Sequence, residues 1–298
     1  MGYLGGVAYA MLVARICQLY PNASSSIVVA RFFKIYSQWK WPQPVLLKTM
    51  EDFPLGMKIW NPKIYQADRF HKMPIITPAY PSMCSTHNVL NSTLTIMNAE
   101  FKRGFEIVTK IEEKKATWSN LFAKSDFFYR YKHYFQIIAC CDDEEKYRIW
   151  SGFVESKIRI LSKNLELIPN IEVAPPFCDS FQKESKVKDL ESALKQHIYT
   201  DHPSEEPEAE CEKTFYSMAF YIGMSIKSMT DTPSAGPKKL YIEQPVNEFK
   251  QFISVWERYT EDMNLTIRIL KRDDLPDYLF EAGKRPSKLK RVLRVFAL

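Results

Sequence analysis

The hydrophobic pattern of this chain changes period near Lys124, and that change limits the fold more than any bulk property does. Before it, apolar residues recur at helical spacing. Val7, Met11, Leu12 and Ile16 line a helix that runs to Tyr20, where Pro21-Asn22 ends it. Ser24 to Ser26 can cap a second helix, with Ile27, Ala30, Phe33 and Ile35 inward and an end near Trp39. A long helix is expected over 88–113, with Met97, Phe101, Phe105 and Val108 along one face. Between these helices, residues 42–85 hold Pro42, Pro44, Pro54, Pro62, Pro74, Pro78 and Pro81, which stiffen an extended segment that its neighbours must hold in place.

After Lys124 the period drops to two. Phe127, Tyr129, Tyr131, His133 and Phe135 alternate as a strand, with both tyrosines expected in the core. A helix is expected over 144–164, short strands over 167–173 and 214–227, a helix over 246–261 and a last strand over 265–270. Phe249, Phe252, Ile253 and Trp256 should be the inward residues of that second helix. The order is β-α-β-β-α-β, the ferredoxin-like pattern, which many RNA-binding modules and many unrelated proteins share. The expected class is therefore α+β: a mostly helical domain over 1–123, a ferredoxin-like domain over 124–280, and a basic tail over 281–298. An insertion near 179–213 is expected to be disordered, because its part from Asp201 to Glu212 has six acids and no Lys or Arg. Lys284 to Arg294 carries six basic residues and no acid, a run of the kind nuclear import receptors read.

Composition mainly excludes. A length of 298 residues suits about two domains. A net charge of +6 permits a polyanionic partner without requiring one. The six cysteines form no C-x-x-C pair, so a zinc knuckle is not expected. No signal peptide is evident, and the apolar stretches are too short to span a bilayer. These features suggest cytosol or nucleus and no membrane. The chain enters an apolar helix directly at Gly5-Gly6, so an N-terminal truncation is expected.

Several runs carry a resemblance. Gly5-Gly6-Val7, Ala10-Met11-Leu12-Val13-Ala14-Arg15 and Gln18-Leu19-Tyr20-Pro21-Asn22-Ala23 come first. Trp41-Pro42-Gln43-Pro44-Val45-Leu46-Leu47-Lys48, Met73-Pro74-Ile75-Ile76-Thr77-Pro78-Ala79-Tyr80-Pro81 and Val154-Glu155-Ser156-Lys157-Ile158-Arg159 follow in the same order. Together they resemble the central and C-terminal RNA-binding domains of eukaryotic poly(A) polymerases, and Trp60 to Tyr65 leans toward the budding-yeast type. The resemblance is dense from 2 to about 163 and returns around Lys271-Arg272 and Arg285 to Lys288.

The resemblance implies a reaction, transfer of AMP from ATP to an RNA 3′ end, with Mg²⁺ or Mn²⁺ held by aspartates of a nucleotidyltransferase domain. The Asp-x-Asp of that domain is absent here, so no catalytic or metal residue is expected in this chain, which alone should be inactive. Asp142-Asp143 and Asp273-Asp274 read as loop charges. Gly6 and Val7 match the family's ATP-binding pair; taken alone they read as close packing under the first helix. Asn88, Arg159 and Arg272 match RNA-contacting positions. The plainer alternatives are an N-cap for Asn88 and a solvated helix-face charge for Arg159. The implied partners are pre-mRNA 3′ ends, poly(A) RNA and subunits of the cleavage and polyadenylation complex, in the nucleus. The alternative is a non-catalytic RNA-binding or interaction protein derived from a truncated polymerase.

Overall fold

The computed structural model describes residues 1–51, 53, 55–197, 213–227 and 241–280. The chain divides into two compact units, 1–125 and 126–298.

In the first unit, α1 (Gly6–Leu19) buries Ala8, Met11, Leu12 and Ile16, one apolar stripe at helical spacing. Helix α2 (Ser25–Ser37) buries Phe32 and Tyr36. The inward residues are thus not those expected, and Ile27 is left 47% exposed. The reason is tertiary. Phe32 meets Phe101 edge-on at 5.7 Å, and Tyr36 donates its hydroxyl to the Leu12 carbonyl at 2.8 Å. Those two contacts fix which face of α2 turns in. Helix α4 (Asn91–Glu112) follows the short α3 (Gln66–Arg69) and buries Met97, Phe101, Gly104 and Val108. Gly104 rather than Phe105 lies on the seam. A Cβ there would stand 2.2 Å from the Phe33 ring, so only glycine lets α2 approach this closely.

The proline-rich segment ties itself together. Val45 bridges Ile75, and Ile76 bridges Cys84. Buried Asp68 accepts from the Asn61 amide at 2.9 Å and pairs with Lys58 at 3.2 Å. The Trp60 indole donates to His71 Nδ1 at 3.0 Å. The unit closes on α5 (Trp118–Leu121).

The second unit opens on α6 (Phe127–Arg130), where a strand was expected. Phe127 and Phe128 are adjacent and both buried, which a strand with alternating faces cannot arrange against one core. A helical turn can, with the rings edge-on at 5.1 Å and Arg130 paired to Asp126 at 2.5 Å. Strand β1 (His133–Cys141) then starts the sheet and leads into α7 (Glu144–Glu166), which Asp143 caps by accepting from the Lys146 amide at 2.8 Å. Next come β2 (Ile171–Val173), β3 (Phe181–Val187), α8 (Leu190–Gln196), β4 (Lys213–Ile226), α9 (Glu243–Ser254) and β5 (Asn264–Lys271).

The sheet is antiparallel, in the order β2-β4-β1-β5, with β3 also pairing β4. Without β3 this is the ferredoxin-like order, and the class is α+β as expected. Two further expectations need correction. The insertion is not wholly disordered: β3 lengthens the covered edge of β4, and α8 buries Ala193 and Leu194. Its polar side chains alternate with inward ones, so composition alone conceals a half-buried edge strand. Residues 198–212, with the acidic run, lie outside the described residues, as do 281–298 with the basic tail. Helix α9 ends at Ser254, so Trp256 lies beyond it, stacked on Phe153 at 4.1 Å, while Phe252 is 46% exposed.

The sheet is covered on both faces. Trp150, Val154, Ile158 and Leu161 of α7 are fully buried on one side. On the other, Tyr134, Ile138, Cys140, Ala219 and Tyr221 share a core with Phe127, Phe128, Val187, Leu194 and Leu275. Tyr131 belongs to that core, whereas Tyr129 is 37% exposed against Phe280. Among the described residues, no helix is long and apolar enough to cross a membrane.

Candidate nucleic-acid interface

Gly6 and Val7 open α1 behind the extended N-cap Gly5. The first intrahelical bond runs from the Tyr9 amide to the Gly5 carbonyl at 3.1 Å, so the amides of Gly6, Val7 and Ala8 have no helical acceptor. Close packing does not explain these residues. A Cβ on Gly5 or Gly6 would meet nothing within 4 Å, and Val7 is 69% exposed. With no acid in the first turn, the helix end offers open N–H groups and an apolar side chain to a ligand carrying phosphate and a flat ring.

Asn88 is not the N-cap of α4. Leu90 holds that place, and its amide donates to Thr93 Oγ1 at 2.9 Å. Asn88 instead turns a buried Oδ1 that finds no protein donor. Its backbone lies under the start of the chain: a Cβ on Gly2, whose φ is +93°, would stand 3.1 Å from the Asn88 carbonyl. The stretch from Gly2 to Gly6 reaches at most about 14 Å. The fold therefore puts Asn88 against Gly2, four residues before Gly6.

In the second unit, Arg159 follows fully buried Ile158 on α7 and is half-buried. One turn on, Ser162 donates to the Ala174 carbonyl at 2.5 Å, next to the bridge from Pro176 to Ile222. Ile222 pairs with Phe135, so this part of α7 lies over the His133 end of β1. Arg272 begins a 3-10 turn (Arg272–Asp274) directly after β5, and its amide donates to the Lys132 carbonyl at 2.9 Å. Arg159 and Arg272 thus share one end of the sheet. Arg272 Nε is buried 3.7 Å from Asp273 and has no hydrogen bond among the described residues.

Among the described residues, the acidic groups do not combine into an all-oxygen cation site. Asp143 is spent as a helix cap, and Asp142 pairs with Lys213 at 3.8 Å. Cys141, Asp142 and Asp262 do bring ligand atoms within 4.8 Å of one another. Yet Lys146 already sits 2.8 Å from Asp262 and holds its carboxyl well below the usual range, while burial pushes the Cys141 thiol up. A hard cation needs an all-oxygen set, and this cluster does not provide one.

A buried polar network had no visible signal in the sequence. Gln136 donates to the Tyr221 hydroxyl at 2.8 Å, which lies 2.7 Å from that of Tyr278. His197, at the end of α8, approaches Tyr278 at 3.4 Å. Burial lowers His197 to about 4 and raises Tyr278 to about 12. Gln136, Tyr221 and His197 are fully buried and Tyr278 is half-buried, so the network fastens α8 to the sheet.

Comparison with known proteins identifies the two units at the level of domains. Residues 1–124 match the family described as "Poly(A) polymerase central domain", and residues 126–288 match "Poly(A) polymerase predicted RNA binding domain". The chain belongs to the poly(A) polymerase family. It is 42% identical to poly(A) polymerase pla1 of Schizosaccharomyces pombe over 98% of its length and 56% of that relative's. It is 42% identical to PAPalpha of Candida albicans over 96% of its length and 54% of the relative's. Nuclear poly(A) polymerase 1 of Arabidopsis thaliana is 37% identical, over 96% of this chain and 36% of its own length. The chain thus spans about half the length of its fungal relatives.

Proposed function

We propose that this chain is the central and RNA-binding portion of a polynucleotide adenylyltransferase that uses ATP to extend pre-mRNA 3′ ends in the nucleus. The carrying observation is that the two family matches run in tandem over both structural units. In this reading the free amides at the start of α1 approach ATP, with Val7 against its ring. Asn88 meets RNA through its side-chain amide, whose Oδ1 is free to accept, and Arg159 and Arg272 neutralise phosphates at one end of the sheet. The metal and the nucleophile's activation belong to residues outside this chain, so the 298 residues alone add no adenylate. The partners are poly(A) RNA, pre-mRNA 3′ ends and subunits of the cleavage and polyadenylation machinery. Nuclear names among the relatives support the location.

The test is binding of oligo(A) RNA across a salt series. Arg159→Ala and Arg272→Ala should each flatten the slope of log K against log salt by about 0.7, whereas Asn88→Ala should weaken binding at an unchanged slope, because an amide displaces no counterion. Unchanged slopes in both arginine variants would sink the assignment. Extension of an oligo(A) primer with ATP and Mn²⁺ by this chain alone would overturn its predicted inactivity.

A further inference from the structure

The two ends of the sheet differ in charge and in how that charge is partnered. Where β1 ends, Asp142, Asp143, Glu144 and Glu145 follow one another, and the cations among them are engaged. Lys146 pairs with Asp262, Arg148 with Glu144 at 2.6 Å, and Lys213 with Asp142. At the opposite end three adjacent strands carry a lysine at or beside their tips. Lys132 precedes β1, Lys271 closes β5 opposite His133, and Lys227 follows β4 with its amide bonded to the Asn170 carbonyl at 3.0 Å. All three lysines are exposed, and none has a carboxylate within ion-pair distance among the described residues. Strands β4, β1 and β5 are neighbours, so these positions span about 10 Å across the end of the sheet, Lys132 on the same face as Arg272 and Lys271 on the other. The backbone bond from Arg272 to Lys132 fastens the arginine to the same end.

We propose that Lys132, Lys271 and, at the margin, Lys227 extend the Arg272 position into a phosphate-binding strip for single-stranded RNA. The inference rests on reading Arg272 as an RNA contact and adds further cations beside it. Unpaired cations on adjacent strands repel one another, and a polyanion relieves that repulsion. The nearby Asp273 and Asp274 keep the strip from being uniformly basic. That limits it to a backbone track and gives it no means of reading bases.

The experiment uses the full 298-residue chain and a labelled oligo(A), with anisotropy measured across a potassium chloride series. Lys132→Ala with Lys271→Ala should flatten the salt slope by about 1.4 and weaken binding near 0.1 M salt by about 25-fold; adding Lys227→Ala should remove about 0.7 more. The paired Lys→Arg variant should restore both quantities, which a folding defect would not allow. Arg148→Ala with Lys213→Ala, at the other end, should leave the slope unchanged. A slope unaffected by the lysine pair but flattened by Arg272→Ala overturns the strip and leaves the RNA reading intact. Equal flattening from both ends overturns it in favour of diffuse charge. No salt-dependent binding by the unaltered chain overturns the strip and the RNA reading together.

Discussion

In the first unit, Phe33 rests on Gly104 where α2 crosses α4; in the second, Tyr131 rests on Gly223 in β4. In each case an added Cβ would lie 2.2 Å from the ring, yet the surroundings differ. Phe33 is only partly buried and lies at the margin of its cluster, so it has solvent to move toward. Tyr131 is 5% exposed and is walled in by Phe127 at 5.3 Å and Tyr134 at 5.9 Å. The same contact is a seam between helices in one unit and a keystone of the core in the other. The helical unit can adjust by sliding its elements, whereas strand register leaves the sheet no comparable freedom.

The largest effect that would test this contrast is on stability. Gly223→Ala should destabilise the second unit by about 3 kcal/mol, since overpacking finds no relief. Gly104→Ala should cost the first unit about 1 kcal/mol, because roughly 2 kcal/mol of crowding is offset by about 1 kcal/mol of helix propensity. Urea unfolding followed by hydrogen exchange in peptides of each unit measures both. Equal losses would remove the distinction.

A smaller effect is the response to acid. His197 is 1% exposed, and its folded value near 4 lies below the ordinary 6.5. The unfolded chain therefore binds the proton first, and stability present above pH 6.5 is lost as pH falls toward 4. From pH 7 to pH 5 the second unit should lose about 2 kcal/mol. Among the described residues, the groups facing the ring are the Tyr278 hydroxyl, the Ser217 backbone and the Lys183 cation, which opposes protonation. His197→Asn should flatten this part of the pH profile. A profile equally steep in the variant would place the acid sensitivity elsewhere.

The smallest effect concerns single hydroxyls. Tyr221→Phe removes the short bonds of Gln136 and Tyr278, leaving each a 3.4 Å contact with His197, and should cost about 1.5 kcal/mol, against about 1 kcal/mol for Tyr36→Phe, which frees one helix carbonyl. Matching losses would show that the buried network is no more demanding than a single bond.

Elements whose own periodicity suffices were legible: α1, α7 and β5 lie close to their expected spans, and the ferredoxin-like order follows from their sequence. Failures occurred where partners decide. Phe127 to Phe135 alternates in sequence, yet two adjacent buried phenylalanines require a turn before β1 begins. In the candidate site, sequence resemblance supplied Gly6, Val7, Asn88, Arg159 and Arg272. It touched Lys271 only as the neighbour of Arg272 and did not supply Lys132, because cross-strand neighbours are far apart in the chain and carry no local pattern.

The residues alone determined the division at Lys124, the helical and then sheet-bearing character of its two sides, and the family, since periodicity and exact runs are local properties. Tertiary structure decided which face of α2 turns inward, that Gly6 is open instead of packed, and that Asn88 leaves the capping of α4 to Leu90. It also decided that β3 and α8 order part of a polar insertion, and that the basic residues of three strands meet at one end of the sheet. Each of these depends on contacts between residues distant in sequence, whose energies exceed local preference and are set only when the chain closes on itself.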